Sequence, residues 1–279
     1  MVNGYAIQDS GDVAADFMGI PHGAERPRLY RNRRDGTFED VAREMGVFKL
    51  LHTMGCNFGD LDNDGWLDFY VGTGDPEYAT LAPNRMFRSD RGRRFQDVTT
   101  AGGFGQLQKG HGIAFGDIDN DGDQDIYSVV GGAANGDNYH NQLFANPGHG
   151  NRWLSLQLQG TKSVRDAHGA RIKVVINTPL GERTLHRVVG SGGSFGSAPF
   201  RQEIGLADAT SIVRVEIFWP ATGQTQVLTG LEPDRRYHIR EDSTVATSVQ
   251  NRSFRLPVST PEGEHHLHAG HHAASAATR

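Results

Sequence analysis

A nine-residue acidic loop occurs twice in the chain, as Asp60-Leu-Asp62-Asn-Asp64-Gly65-Trp66-Leu-Asp68 and as Asp117-Ile-Asp119-Asn-Asp121-Gly122-Asp123-Gln-Asp125, the copies lying 57 residues apart. Each copy has carboxylates at positions 1, 3, 5 and 9 and glycine at position 6. So many like charges repel one another unless a cation sits among them. The spacing wraps several hard oxygen ligands around one ion the size of Ca2+. Two Ca2+ sites are therefore expected. Asp60, Asp62 and Asp64, and likewise Asp117, Asp119 and Asp121, give side-chain oxygens; Trp66 or Asp123 gives a backbone carbonyl; Asp68 or Asp125 closes the shell. Gly65 and Gly122 stand where the chain must turn sharply, with positive φ. An EF-hand begins in the same way but needs glutamate at position 12 and helices on both sides. Here position 12 is Val71 or Ser128. The stretches after the loops, Phe69-Tyr-Val71 and Ile126-Tyr-Ser-Val-Val130, are aromatic and β-branched, so the loops join strands.

The 57-residue offset reaches beyond the loops: Tyr30-Arg31 matches Phe87-Arg88, Phe38-Glu-Asp40-Val41 matches Phe95-Gln-Asp97-Val98, and Leu143-Phe144 begins a third copy. A repeat of this length, made of strands and Gly/Asp turns, predicts propeller blades of about four strands. Asp35-Gly36 is a hairpin turn within one of them. Residues 1–150 thus read as an incomplete β-propeller, two blades plus the start of a third. Rings need roughly four to eight blades. Met1-Val-Asn-Gly4 falls where the outgoing strand of an earlier repeat should end, so N-terminal blades missing from this chain are expected in the full-length protein.

Residues 151–241 read as a separate, small antiparallel β-sandwich or barrel. Trp153-Leu-Ser-Leu-Gln-Leu158, Arg171-Ile-Lys-Val-Val-Ile176 and Ile212-Val-Arg-Val-Glu-Ile-Phe-Trp219 alternate apolar and polar residues between turns. No segment has a convincing helical period, and the class is all-β. Residues 242–279, with His265, His266, His268, His271 and His272, read as a disordered tail, in which clustered histidine is only compositional evidence of metal binding.

Thirty-six glycines and 37% hydrophobic residues suit a turn-rich β protein. The net charge of -5 owes much to the loops, and no basic face of the kind nucleic acid requires is evident. Arg26, Arg28, Arg31, Arg33 and Arg34 read as the solvated edge of an outer strand. Cys56, the sole cysteine, has no internal disulfide partner and reads as a small core residue. No run approaches a membrane span and no signal peptide is visible. There is no nucleophile elbow, phosphate loop or His-Glu-x-x-His helix, so no catalytic or organic-cofactor residue is assigned. Gly190-Ser-Gly-Gly-Ser194 reads as a turn or bulge between strands, and His111 as a surface or packing residue.

Phe58-Gly-Asp-Leu-Asp-Asn-Asp-Gly65 and Phe115-Gly-Asp-Ile-Asp-Asn-Asp-Gly122 resemble the FG-GAP (VCBS) repeats of integrin-α-type β-propellers, in which these Asp positions hold Ca2+. Gly169-Ala-Arg171, Arg187-Val-Val-Gly-Ser-Gly-Gly-Ser-Phe-Gly-Ser197, Gly205-Leu206 and Val213-Arg-Val-Glu-Ile-Phe-Trp-Pro220 resemble the ASPIC/UnbV domain of the cartilage acidic protein family and its bacterial relatives. That family usually writes His-Phe-Gly-Leu-Gly where this chain has Glu203-Ile-Gly-Leu-Ala207. The resemblance implies a secreted or periplasmic Ca2+-binding scaffold that mediates binding or adhesion to a protein or carbohydrate ligand. The alternative it implies is an enzyme or accessory factor of natural-product biosynthesis, where UnbV-type relatives occur.

Overall fold

The repeats fold as neighbouring β-sheets in the computed structural model, which describes residues 10–74, 82–132, 136 and 139–256. β1 (Tyr30–Asn32) and β2 (Phe38–Asp40) form a hairpin in which Asp35 Oδ1 accepts the Thr37 N–H at 2.9 Å. β3 (Thr53–Gly59), β4 (Asp68–Thr73), β5 (Arg85–Ser89) and β6 (Phe95–Asp97) make one complete antiparallel blade. β7 (Gly110–Gly116), β8 (Asp125–Val130) and β9 (Gln142–Phe144) make three strands of the next. The pairing Tyr30↔Asp40 is repeated as Phe87↔Asp97, so β1 and β2 are the outer half of a preceding blade.

The blades stack through apolar faces. Phe69, Val71 and Phe87 turn to one side, onto Ala42, Val47 and Leu51. Tyr70 and Met86 turn to the other, onto Ile113, Phe115 and Ile126 of the second blade. The second blade repeats that outgoing face, and among the described residues no further blade covers it. Tyr70 and Met86 are 0% exposed, whereas their equivalents Tyr127 and Leu143 are 38% and 43% exposed.

The C-terminal strands are β10 (Arg152–Gln159), β11 (Arg171–Thr178), β12 (Gly181–Val188), β13 (Gln202–Ala207), β14 (Ser211–Trp219), β15 (Gln224–Leu228), β16 (Arg235–Arg240) and β17 (Thr247–Val249). They form two four-stranded sheets, ordered β13-β10-β16-β17 and β12-β11-β14-β15, around a core that includes Leu154, Leu156, Ile172, Ile204, Ile217 and Trp219. Alternation along each strand sends these side chains inward. One pairing departs from the expected antiparallel sandwich: β16 lies parallel to β10, a pairing that needs the long crossover supplied by the intervening strands.

Two further differences have local causes. Ser10–Met18 is an α-helix, α1, where no helical period is evident; it is only nine residues long. Its Asp16 accepts hydrogen bonds from Arg26 Nε at 2.8 Å and the Leu50 N–H at 2.8 Å, tertiary contacts that anchor it. The tail expected to be disordered from residue 242 begins instead with an ordered segment, because β17 pairs with β16. His265 to His272 lie outside the described residues.

Within the arginine cluster, Arg28 pairs with Asp40 at 2.9 Å, Arg31 with Glu44 at 2.8 Å and Arg33 with Glu39 at 3.4 Å. Cys56 is partly buried against the first-blade core, and burial pushes its thiol up to about 11. Among the described residues no helix is long and apolar enough to cross a membrane.

Candidate metal centres

The two acidic loops connect β3 to β4 and β7 to β8. Both turn through positive φ at glycine, Gly65 at 87° and Gly122 at 100°, as their spacing predicts. Asn63 at 54° and Asn120 at 62° also adopt the left-handed region, which asparagine tolerates better than most residues.

In the first loop single carboxylate oxygens of Asp60, Asp62 and Asp68 lie within 4.8 Å of one another; in the second, those of Asp117, Asp119 and Asp121 do. The clusters thus join positions 1, 3 and 9 in one loop and 1, 3 and 5 in the other. Asp64 stands outside its cluster, and its Oδ1 accepts the Trp66 N–H at 2.8 Å. Position 9 fastens the loop. Asp68 accepts the N–H groups of Leu61 and Ser89, both at 2.7 Å. Asp125 accepts those of Ile118 at 3.0 Å and Asn146 at 2.8 Å, at equivalent places. At position 7, the side chain of Asp123 accepts from Asn63 Nδ2 at 2.8 Å, joining the two loops, while the ring of Trp66 packs between Gly92 and the Arg183 guanidinium, 5.2 Å from its centroid.

Burial pushes Asp60 up to about 7; Arg187 pulls against this, while Asp64 and Asp62 add to it. Burial takes Asp68 to about 8 despite the Ser89 amide. Asp117 rises to about 6 through burial and the neighbouring Glu203, and Asp123 to about 6 through burial and Asp121. Asp64, Asp119 and Asp125 are raised for the same first reason. These are carboxylates short of positive charge. Asp119 Oδ1 is buried with no hydrogen-bond partner among the described residues. An all-oxygen, mostly anionic donor set with an orphaned acceptor suits a hard divalent cation, and both acidic clusters can hold a metal ion.

The C-terminal sheets cover both loops. Arg187 Nη2 and the Gly205 N–H each reach Asp60 Oδ2 at 3.1 Å, Arg183 Nη1 donates to the Asp64 carbonyl at 2.6 Å, and the Ala207 N–H donates to the Asn63 carbonyl at 2.8 Å. On the second loop, Glu203 accepts from the Asp117 N–H at 3.2 Å and Gln124 Nε2 at 2.8 Å, and Arg201 Nη2 donates to the Asp117 carbonyl at 2.8 Å. Arg236 Nη2 donates to Asn120 Oδ1 at 2.7 Å, and the Phe254 N–H to the Asp119 carbonyl at 2.9 Å. Sequence reasoning assigned none of these C-terminal residues to the loops. One signal was present: Glu203-Ile-Gly-Leu-Ala207, the stretch that departs from the ASPIC/UnbV pattern, is the strand β13 that touches both loops.

The glycine-rich stretch after β12 also meets the blades. Ser194 bridges Cys56 on β3, its N–H donating to the Cys56 carbonyl at 2.7 Å, and Gly196 lies on the Ile113 backbone of β7. The stretch thus packs on both blades, a role beyond the turn or bulge that its glycines suggest. His111 is a half-buried residue of β7. A polar cleft of about 860 Å³ opens beside the first loop, lined by residues that include Asp62, Asp64, Trp66, Arg88, Arg91 and Arg183.

Residues 10–71 and 72–128 match the family of FG-GAP-like repeats, and residues 160–246 match the family described as ASPIC and UnbV. No curated protein matches the chain. A solved structure from Bacteroides ovatus ATCC 8483, provisionally described as a cell adhesion protein, aligns with 85% of this chain and 100% of its own at 10% identity and a TM-score of 0.26, a likeness too slight to bear on fold or function.

Proposed function

The chain is an FG-GAP-like repeat protein with an ASPIC and UnbV domain, and on that premise we propose that it is a Ca2+-stapled extracellular scaffold that binds a protein or glycan ligand. The observation that carries the metal part is the convergence of Asp60, Asp62 and Asp68, and of Asp117, Asp119 and Asp121, at loops one repeat apart. Asp64 and Trp66 in the first loop, and Asp123 and Asp125 in the second, complete the proposed Ca2+ shells. Secreted or periplasmic proteins meet Ca2+ at concentrations that weak loops of this kind can use. Residues 1–150 are the propeller unit and 151–241 the ASPIC/UnbV unit. The uncovered Tyr127–Leu143 face of the second blade supports a longer propeller, in which another blade packs there as the second packs on Tyr70 and Met86. The cleft beside the first loop offers the ligand mixed charge and part of an aromatic ring.

Calorimetric titration of Ca2+ into chelator-treated protein is expected to show two sites, with one lost in Asp60→Ala and the other in Asp117→Ala. A wild-type chain that folds and takes up no Ca2+ overturns the metal reading. Glycan-array and pull-down binding that is equal in Ca2+ and in chelator would remove its link to ligand recognition.

A further inference from the structure

Each acidic loop has a guanidinium from the C-terminal sheets buried against its first carboxylate. Arg187, near the end of β12, places Nη2 3.1 Å from Asp60 Oδ2, with side chains 10% and 1% exposed. Arg236, on β16, places Nη2 3.5 Å from Asp117 Oδ2, with side chains 15% and 0% exposed. The two arginines come from different sheets of the sandwich, yet each lies at the same position of its own loop. In both, Nε is buried and has no hydrogen-bond partner among the described residues. A buried, unused donor costs free energy, so hydrogen bonding alone does not account for the placement, whereas attraction to a multiply charged loop does.

We propose that Arg187 and Arg236 are resident counter-charges of the two loops, holding the C-terminal sandwich on the blades while no metal ion is bound and opposing the ion when it enters. This rests on the metal reading above. A divalent ion held by Asp60 or Asp117 brings a second positive centre beside the same carboxylate, and like charges at such range repel. The arginines therefore stabilise the metal-free protein more than the loaded one. By linkage, a group that favours the free state lowers the affinity of the ligand, and the ion in turn weakens the grip of the arginine. The C-terminal sandwich thus sets the Ca2+ range over which the loops respond, and ion entry loosens its polar contacts with them.

The test is Ca2+ titration and thermal unfolding of the full chain carrying Arg187→Met or Arg236→Met, each in chelator and in saturating Ca2+. Each variant is expected to bind Ca2+ about tenfold more tightly at one of the two sites, within the usual span of coupling between sites. Each should also lose more of its unfolding temperature in chelator than in Ca2+. Arg187→Lys, which keeps the charge, should stay near wild type. So should Arg214→Met, which breaks the Arg214–Glu216 ion pair at 2.7 Å away from the loops. If Arg187→Met does not fold without Ca2+, Arg236→Met carries the test at the other loop. Variants that fold and bind Ca2+ no more tightly than wild type, or that lose the same unfolding temperature with and without the ion, overturn this inference alone. A wild-type chain that binds no Ca2+ overturns it together with the reading beneath it.

Discussion

Asp60 and Asp68 are the residues on which the metal-free loop pays its largest electrostatic cost, because burial lifts them to about 7 and about 8 while the unfolded chain titrates near 3.8. The sign of the consequence follows from proton counting. Between the unfolded and folded values the native state holds protons that the unfolded chain has released, so stability falls as pH rises. The contribution is fully present below about pH 4 and lost as the pH passes through about 7 to 8. An ion takes the place of those protons. Thermal unfolding in chelator should therefore drop steadily from about pH 5 to pH 8, and the drop should largely vanish in saturating Ca2+. Equal pH dependence with and without Ca2+ would mean that these carboxylates gain nothing from the ion. Burial of this kind is invisible in the residue pattern, which shows that the carboxylates are gathered but not which are wet. It also does not separate Asp64, turned to the Trp66 amide, from Asp62.

At the scale of elements, β13 shows how closely the sandwich approaches the first loop. Gly205 sits on the Asn63 backbone, where a Cβ would come within 2.3 Å of the Asn63 carbonyl carbon, and backbone atoms cannot move aside as a flexible side chain can. Gly205→Ala should cost about 1–3 kcal/mol, the usual range for an added group in a filled space. Denaturant unfolding in the presence of Ca2+ measures it, and a change below about 0.5 kcal/mol, the level of an ordinary surface substitution, would show that the contact yields freely. Strands and blades were legible before the structure because alternation and a 57-residue repeat are local or periodic signals. The parallel pairing of β10 with β16 was not, since nothing within either strand names a partner some 80 residues away. Nor was α1, whose nine residues span too few turns for a period and whose hold on the fold runs through Asp16 to Leu50. The loop-to-sandwich contacts escaped for the same reason, joining residues such as Arg187 and Asp60 that are 127 positions apart.

For the whole molecule, the repeat makes an internal comparison possible. Two equivalent outgoing faces lie in one chain: Tyr70 and Met86 are covered by the next blade, while among the described residues no blade covers Tyr127 and Leu143. The covered copy demonstrates what the face is built to do, and apolar area left in water favours association at roughly 25 cal/mol per Å² buried. In isolation this chain should therefore self-associate with rising concentration through the second blade. Leu143→Asp should shift it towards monomer in sedimentation velocity while changing stability by no more than about 0.5 kcal/mol, as expected at a partly exposed position. Met86→Asp, the same substitution one repeat earlier, should instead prevent folding, because it buries an unpaired charge between blades. A Leu143→Asp chain that associates as strongly as wild type would place the contact elsewhere. A wild-type chain that remains monomeric at every concentration would show that this face, unlike its covered twin, does not bind another surface of the same chain.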